Sequence, residues 1–362
     1  MLTTFDRHIL KRFVLSVTLL IAALIVFFIV LHYVEFVDDF MDRGARMREV
    51  FLVYYPNYVP EIIKLTTPLA VFMSCVYLTG RLAQQLQLAA LQTSGVSLQR
   101  LLLPYLSAAV VITGFMFWFN GYVVPGTNAV RLDFEERYMK DAPRQIDVNH
   151  IHRQERPGTV VTVSYFDRAS DMGHTASLQR YDSAQRLTER IDAVRMQWID
   201  SLRVWRFQSA VRRKFGTDGG ETRTVMPVFD TTLTVFPLDF ARSEKDVESM
   251  TIPAASEYIE SLKRAGADNL GQARVQYYSK FSYPLASFIL VLIGVPMSAV
   301  RRRGGQAIQI GIGLATAFIY LALIKFIEPF GYTEALSPIV ASWLPHGIFL
   351  GVGLLVLVGT RK

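Results

Sequence analysis

The run FVLSVTLLIAALIVFFIVLHYV, Phe13 to Val34, contains 22 residues and no Asp, Glu, Lys or Arg. About 20 such residues in a helix cross the hydrocarbon core of a bilayer. A helix is the form required there, because it satisfies its own backbone donors and acceptors where no water can. The run is too long for the apolar part of a signal peptide. Glu35, Asp38 and Asp39 follow it in place of a small-residue cleavage site, so it reads as a retained first span.

Five more segments qualify as spans. Leu65 to Gly80 is shorter and extends upstream through Glu61 and Lys64; Leu101 to Val124 is free of charge. After a long polar interval come Phe281 to Val300, Ala307 to Ile324 and Pro338 to Gly359. The expected arrangement is six helices, three before the interval and three after. Basic residues in short loops set orientation. With the N-terminus inside, the inner side carries Arg7, Lys11, Arg12, Arg81, Arg100, Arg301, Arg302, Arg303, Arg361 and Lys362. The outer side carries Arg43, Arg46 and Arg48. Ten against three predicts both termini in the cytoplasm and the polar interval outside.

The interval changes period. Thr159 to Phe166, His174 to Tyr181, Glu189 to Ile199, Arg203 to Phe215 and Thr231 to Phe236 read as strands. Val204, Arg206 and Gln208 alternate with Trp205, Phe207 and Ser209, and turn signals at 156–158, 171–173 and 217–220 separate the runs. Short, regularly spaced strands suggest a sandwich or jelly roll. Pro253 to Gly266 then reads as a helix with Ile259 and Leu262 on one side and Gly266 as its stop. The predicted fold is therefore a membrane α-helical protein with an inserted, jelly-roll-like all-β domain. Its boundaries fall at 1–130 for the first three spans, 131–266 for the β-domain with its following helix, and 267–362 for the last three spans.

Little of the sequence offers chemistry. Without a Gly-Lys dipeptide no P-loop can be written, and H-E-x-x-H, G-x-S-x-G and C-x-x-C are absent too. The lone Cys75 falls in an apolar run, which excludes an intrachain disulfide. His150 and His152 share a strand face, but a zinc site wants further ligands, and a polar strand face is the simpler reading. Binding or transport is the default, with no catalytic residue, metal or cofactor assigned to the chain and no nucleic acid as partner.

The loop LAQQLQLAALQTSGVSLQR, between the second and third spans, stands out. Leu82, Leu86, Ala89, Ala90 and Thr93 share one side of a helix, and Leu88 and Leu91 extend it. Gly95 suits the left-handed position beyond a helix end, and Ser97 suits the N-cap of the next helix. Such a helix either rests on lipid or docks in a groove of a soluble partner. A transport protein lacking a nucleotide site needs the second.

The same loop resembles the one after the second helix in the LptF/LptG (YjgP/YjgQ) family, permease subunits that extract lipopolysaccharide from the inner membrane. Further resemblances follow in family order: FDRHILKRF at the start, FVDDF after the first helix, VVP at Val123 to Pro125, IPAASEYIESLKRAG before the fourth helix, and WLP at Trp343 to Pro345. The N-terminal motif is closer to the LptG branch. The resemblance implies a half-transporter in the bacterial inner membrane, paired with an LptF-like paralogue or a second copy. It also implies an LptB-like ATPase dimer that binds ATP and Mg, and an LptC-like protein continuing a periplasmic bridge. It makes the loop near 81–97 a coupling helix, with Gln87, Leu88, Leu91, Thr93, Ser94 and Gly95 at the ATPase. The family commonly has an acid where Gln87 stands, so the contact there lacks a charge-assisted hydrogen bond. A membrane-anchored periplasmic scaffold and a permease for another amphipathic lipid are the alternatives.

A lipid A head group carries phosphates, so cations near the outer span ends are candidates for its site. These are Lys64, Arg131, Arg137 and Lys325. Snorkelling or local pairing is the competing reading, with Glu61 three residues before Lys64 and Glu328 three after Lys325. The family often has a Lys at the end of the first helix, where this chain has Glu35. Ala307, Gly311 and Ala315 form a small-residue stripe on the fifth span, and Gly347 with Gly351 forms another on the sixth; such stripes allow close helix approach. By resemblance, the first and fifth helices meet the partner subunit and form gates for lipid.

Overall fold

The computed structural model describes residues 4–139, 151–167, 170–216, 220–237, 240, 244–264, 270–300 and 305–359. Arg301 to Arg303, Arg361, Lys362, His150 and Gly266, used above, lie outside these residues. The chain forms two compact units: Met1–Ala142 with Val247–Pro253 and Gly271–Lys362, and Pro143–Asp246 with Ala254–Leu270.

The first unit is helical. Helix α1 (Thr4–Asp42) continues one turn beyond the apolar run at each end and more. After a π turn at Val50–Tyr54 comes α2 (Tyr55–Gln84), then the short α3 (Gln87–Thr93), α4 (Leu98–Trp118), a second π turn at Phe119–Val123, and α5 (Val124–Tyr138). After the β-strands come α6 (Ile252–Arg264), all but its first two residues in the second unit, and then, in the first unit, α7 (Gly271–Ser282), α8 (Leu285–Ala299), α9 (Gly305–Tyr332) and α10 (Pro338–Gly359). Among the described residues five helices are long and apolar enough to span a membrane, and the α7–α8 pair, bent by 52°, is a sixth when counted as one broken span. The bend falls at Tyr283–Pro284 because proline lacks an N–H and disfavours helical geometry in the residue before it. The expected three-and-three spans around a β insertion are thus observed.

Two helices organise this bundle. Val71 and Cys75 of α2 and Val291 and Val295 of α8 pack with Ile9, Phe13 and Val17 of α1 and Leu102 and Tyr105 of α4. On their other sides Phe72, Val76, Ile289 and Ile293 meet Ala317, Tyr320 and Phe349 of α9 and α10. Gly313 is packed on Val76 and Phe72, and the buried Tyr320 hydroxyl and His346 Nδ1 lie 2.5 Å apart. The middle of α1, by contrast, is almost unburied.

The second unit holds one six-stranded antiparallel sheet in the order β1 to β6. Its strands are Ile151–Arg156, Thr159–Asp167, Met172–Tyr181, Leu187–Ile199, Val204–Phe215 and Glu221–Thr231. Each strand pairs with its neighbour in sequence, so the domain is all-β as expected, yet its sheet is a meander without Greek-key crossovers. The strand expected at Thr231 to Phe236 is displaced: β6 ends at Thr231. Pro227 obscured β6 in the sequence, since proline is tolerated in strands at an edge, and β6 is that edge. Leu233 and Val235 instead join the core, where Val235 accepts a 2.7 Å hydrogen bond from Trp205 Nε1.

A crease crosses this sheet. The registers place Ser164, Thr175, Val194, Ser209 and Pro227 in one transverse row. Thr175 and Ser209 have φ of 51° and 54°, a conformation costly for β-branched threonine. At the row the buried positions change parity: Val163 to Phe166, Ala193 to Met196, Phe207 to Ala210. A one-residue slip would normally turn side chains to the opposite face. Because β2 to β6 all slip at the same row, pairing survives, the sheet bends, and one face stays on a single core from Ile151 to Phe240.

Candidate functional site

The loop helix is built as its caps dictate. Gly95 has φ of +90°, and the N–H groups of Gly95 and Val96 return to the carbonyls of Gln92 and Leu91. Ser97 caps α4, accepting from the Arg100 N–H. The amphipathic pattern is interrupted, however. Leu86 takes φ of 61°, so α2 stops at Gln84 and Leu82 and Leu86 do not share a helix with Ala89 and Thr93. Leu88 is 4% exposed and packs with Ala83 and Leu101, and Leu91 and Val96 lie against them. Leu88 and Leu91, which the resemblance places at a partner, therefore make contacts inside this chain. Seven residues are too few for an independent helix, and these contacts anchor it. Gln87, Ala89, Ala90, Gln92, Thr93, Ser94 and Gly95 remain exposed.

Around this end, Arg100 donates to Asp6 from Nη1 at 3.0 Å and Nη2 at 2.5 Å, joining α4 to α1. Gln309, buried in α9, donates to the carbonyls of Ser298 and Val300 at 3.2 and 2.8 Å, satisfying the end of α8. Its side chain lies on Gly80 of α2, where a Cβ would come within 2.5 Å of Oε1.

At the opposite end of the bundle all four proposed cations have local partners. Lys64 lies 2.5 Å from Glu61, Arg131 3.4 Å from Glu135, Arg137 2.7 Å from Asp133 and Lys325 2.9 Å from Glu328. They divide by burial. Glu61 also accepts a 2.9 Å hydrogen bond from buried Asn128, tying α2 to α5. The Arg131 guanidinium lies 5.5 Å from the Tyr58 ring centre. Its partner Glu135 accepts from the Tyr54 hydroxyl at 2.8 Å, and His32 Nε2 lies 3.1 Å from that hydroxyl. Since the Tyr54 hydroxyl donates its one hydrogen to Glu135, its oxygen is left to accept from Nε2–H of His32. Arg137 and Lys325, 66% and 70% exposed, form surface pairs instead. The Glu61–Lys64 and Lys325–Glu328 pairs were read from the sequence; the Arg131–Glu135 and Arg137–Asp133 pairs and the cross-helix partners Asn128, Tyr54 and His32 were not.

Lys280 is a further cation that sequence reading passed over, because span counting began at Phe281. It is buried in α7, with Glu61, Lys64 and Glu248 as electrostatic neighbours, and makes no ion pair among the described residues. On α9, Ala307, Gly311 and Ala315 are exposed, and Gly311 has open space around it. Gly347 and Gly351 on α10 are equally open. His152, the described half of the histidine pair, lies 2.9 Å from Thr162 Oγ1.

Similarity to known proteins matches this architecture. The family model described as "Lipopolysaccharide export system permease LptF/LptG" matches residues 7–358. The chain belongs to the LptF/LptG family. It is similar to the lipopolysaccharide export system permease protein LptG of Escherichia coli strain K12, with 19% identity over 344 residues and 90% of each chain covered. The LptG of E. coli O6:H1 gives the same figures. The LptF/LptG match embraces both helical segments and the β insertion.

Proposed function

We propose that the chain is one half of an ATP-driven exporter that lifts lipopolysaccharide from the inner membrane and passes it to a periplasmic bridge. The family match from residue 7 to 358 carries this reading. The excess of basic residues in the loops at the N-terminal end supports cytoplasmic termini and a periplasmic β-domain. ATP and Mg belong to an LptB-like ATPase dimer, whose groove receives the exposed face of α3: Gln87, Ala90, Thr93, Ser94 and Gly95. Leu88 and Leu91 hold that face in position from behind.

The unburied middle of α1 and the open stripe at Ala307, Gly311 and Ala315 suit an interface with an LptF-like subunit, or a second copy, that can slide and admit lipid. Arg137 and Lys325 serve as exchangeable phosphate contacts. Exposed ion pairs are worth about 0–1 kcal/mol, so a head-group phosphate displaces their carboxylates readily. Lys64 and Arg131 stand in the polar network behind them. The edge strand β6, with Val225 and Val228 exposed, suits strand addition by the next β-domain of an LptC-like bridge.

Depletion in the native host tests the whole reading: lipopolysaccharide trapped in the inner membrane is expected. Normal export with loss of a periplasmic complex would favour a scaffold, and another bound lipid identified by mass spectrometry would redirect the substrate. A photocrosslinker at Ala90 should capture a P-loop ATPase.

A further inference from the structure

Between the N-terminal turns of α1 and the end of α2 lies a cavity of about 50 Å³, lined also by Gln87 of α3 and Tyr105 of α4. His8 and Arg12 of α1, Arg81 of α2, Gln85 just beyond it, Gln87, and the Tyr105 hydroxyl of α4 contribute its polar groups, and among the described residues no carboxylate lines it. The acid closest in sequence, Asp6, is buried and engaged by Arg100. His8, Arg12 and Arg81 make no ion pair among the described residues. Gln87 donates to Gln85 Oε1 at 3.1 Å, so the two amides that line the cavity are joined to each other. The result is a small concave site with two arginines, an imidazole and two amides over an apolar floor of Phe5, Ile9, Leu78 and Leu82, and no counter-charge among the described residues.

We propose that this cavity binds the phosphate of an anionic phospholipid head group. Arginine matches a phosphate with paired, charge-assisted hydrogen bonds, and a cavity of this size accepts a few waters or one phosphate group. Basic pockets between spans at a membrane surface recognise anionic head groups. The neighbouring surface identifies a lipid as the source of the phosphate. Leu15 and Leu19, one and two turns along α1 from Arg12, are 56% and 61% exposed. Seven residues of helix rise about 10 Å, so acyl chains from a head group at Arg12 run down this uncovered apolar face. The site also gives Gln87 a second role. It touches the head-group cavity and belongs to the loop helix, so an amide there tolerates an anion that a carboxylate would repel.

The test uses the full chain in nanodiscs, exchanged between phosphatidylglycerol and phosphatidylcholine, with retained lipid counted by native mass spectrometry after detergent extraction. The unmodified chain should retain phosphatidylglycerol in preference to phosphatidylcholine. The double variant Arg12→Gln with Arg81→Gln should retain roughly 30-fold less, as expected for two cations at an anionic head group. Gln87→Glu should also lower retention. Arg7→Gln with Lys11→Gln, which removes two exposed cations outside the cavity, should retain it. Equal losses in the two double variants would reduce the effect to general surface charge and overturn the proposal. Binding of inorganic phosphate with no lipid preference would overturn the lipid as the ligand. No step requires the ATPase, so this result is separable from the coupling reading.

Discussion

Replacing Leu88 by alanine should disorder the loop helix before it touches any partner. Leu88 is 4% exposed and closes a small cluster with Ala83 and Leu101. Truncating a buried leucine costs about 2–5 kcal/mol, from lost transfer energy and the cavity left behind. Leu91 and Val96 only partly cover that cluster, and α3 spans seven residues, so the cost falls on local rather than global stability. A loss of 2–5 kcal/mol lowers the ordered fraction of the loop relative to open forms by roughly 30- to several-thousand-fold. Hydrogen exchange of the amides from Leu86 to Ser97 is the assay, because local openings of this kind set exchange rates. Leu88→Ala should accelerate exchange there, leave α8 to α10 unchanged, and reduce capture of the ATPase. Ala90→Asp, on the exposed face, should leave exchange unaltered and reduce capture alone. If Leu88→Ala preserved protection while abolishing capture, Leu88 would be a direct docking residue and its inward anchoring role would be wrong.

Three further expectations concern the rest of the chain. Glu61→Gln should destabilise the bundle by about 3–5 kcal/mol, the usual cost of leaving a buried ion-pair partner uncompensated. Glu61→Gln with Lys64→Met should recover part of that loss in a thermal-unfolding double-mutant cycle; additive effects would show that the pair is not coupled. Gly271→Ala should prevent proper packing of α7 against the end of α9, because a Cβ would collide with the backbone carbonyls of Gly331 and Tyr332. Loss of monodispersity on size exclusion reads this out. In the β-domain, hydrogen bonds from Arg206 at 2.9 and 2.8 Å hold the Asp230 carboxyl below its ordinary value of 3.8. The pair therefore supports the β5–β6 edge at neutral pH and loses that contribution as the pH falls below 3.8 toward the depressed value. Thermal unfolding followed by circular dichroism should show the acid-side loss, and Asp230→Asn should remove it.

The membrane class, the number of spans, the β insertion, the Gly95 stop and the Ser97 cap were all legible in the sequence. Each rests on a local rule: an uncharged run long enough to cross a bilayer, a period of two, or a backbone angle one residue type favours. The functional residues were legible only as residue types. That Arg137 and Lys325 form exposed pairs while Lys64 and Arg131 are built into a network depends on Asn128, Tyr54 and Tyr58, which approach from other helices. Helical periodicity carried Leu82 through Thr93 as one face, and one left-handed residue at Leu86 broke it.

What the sequence alone determined is the set of elements and the solvent each is made for. Tertiary structure decided which side of α3 is free, since Leu88 points wherever its burial is completed, and Ala83 and Leu101 complete it. It also decided the phase of the sheet: the pattern Trp205, Phe207, Ser209 holds until the crease, after which Ala210 is buried in place of Val211. Periodicity measures spacing along the chain, whereas burial depends on what lies across from each residue. Only the folded neighbours supply that.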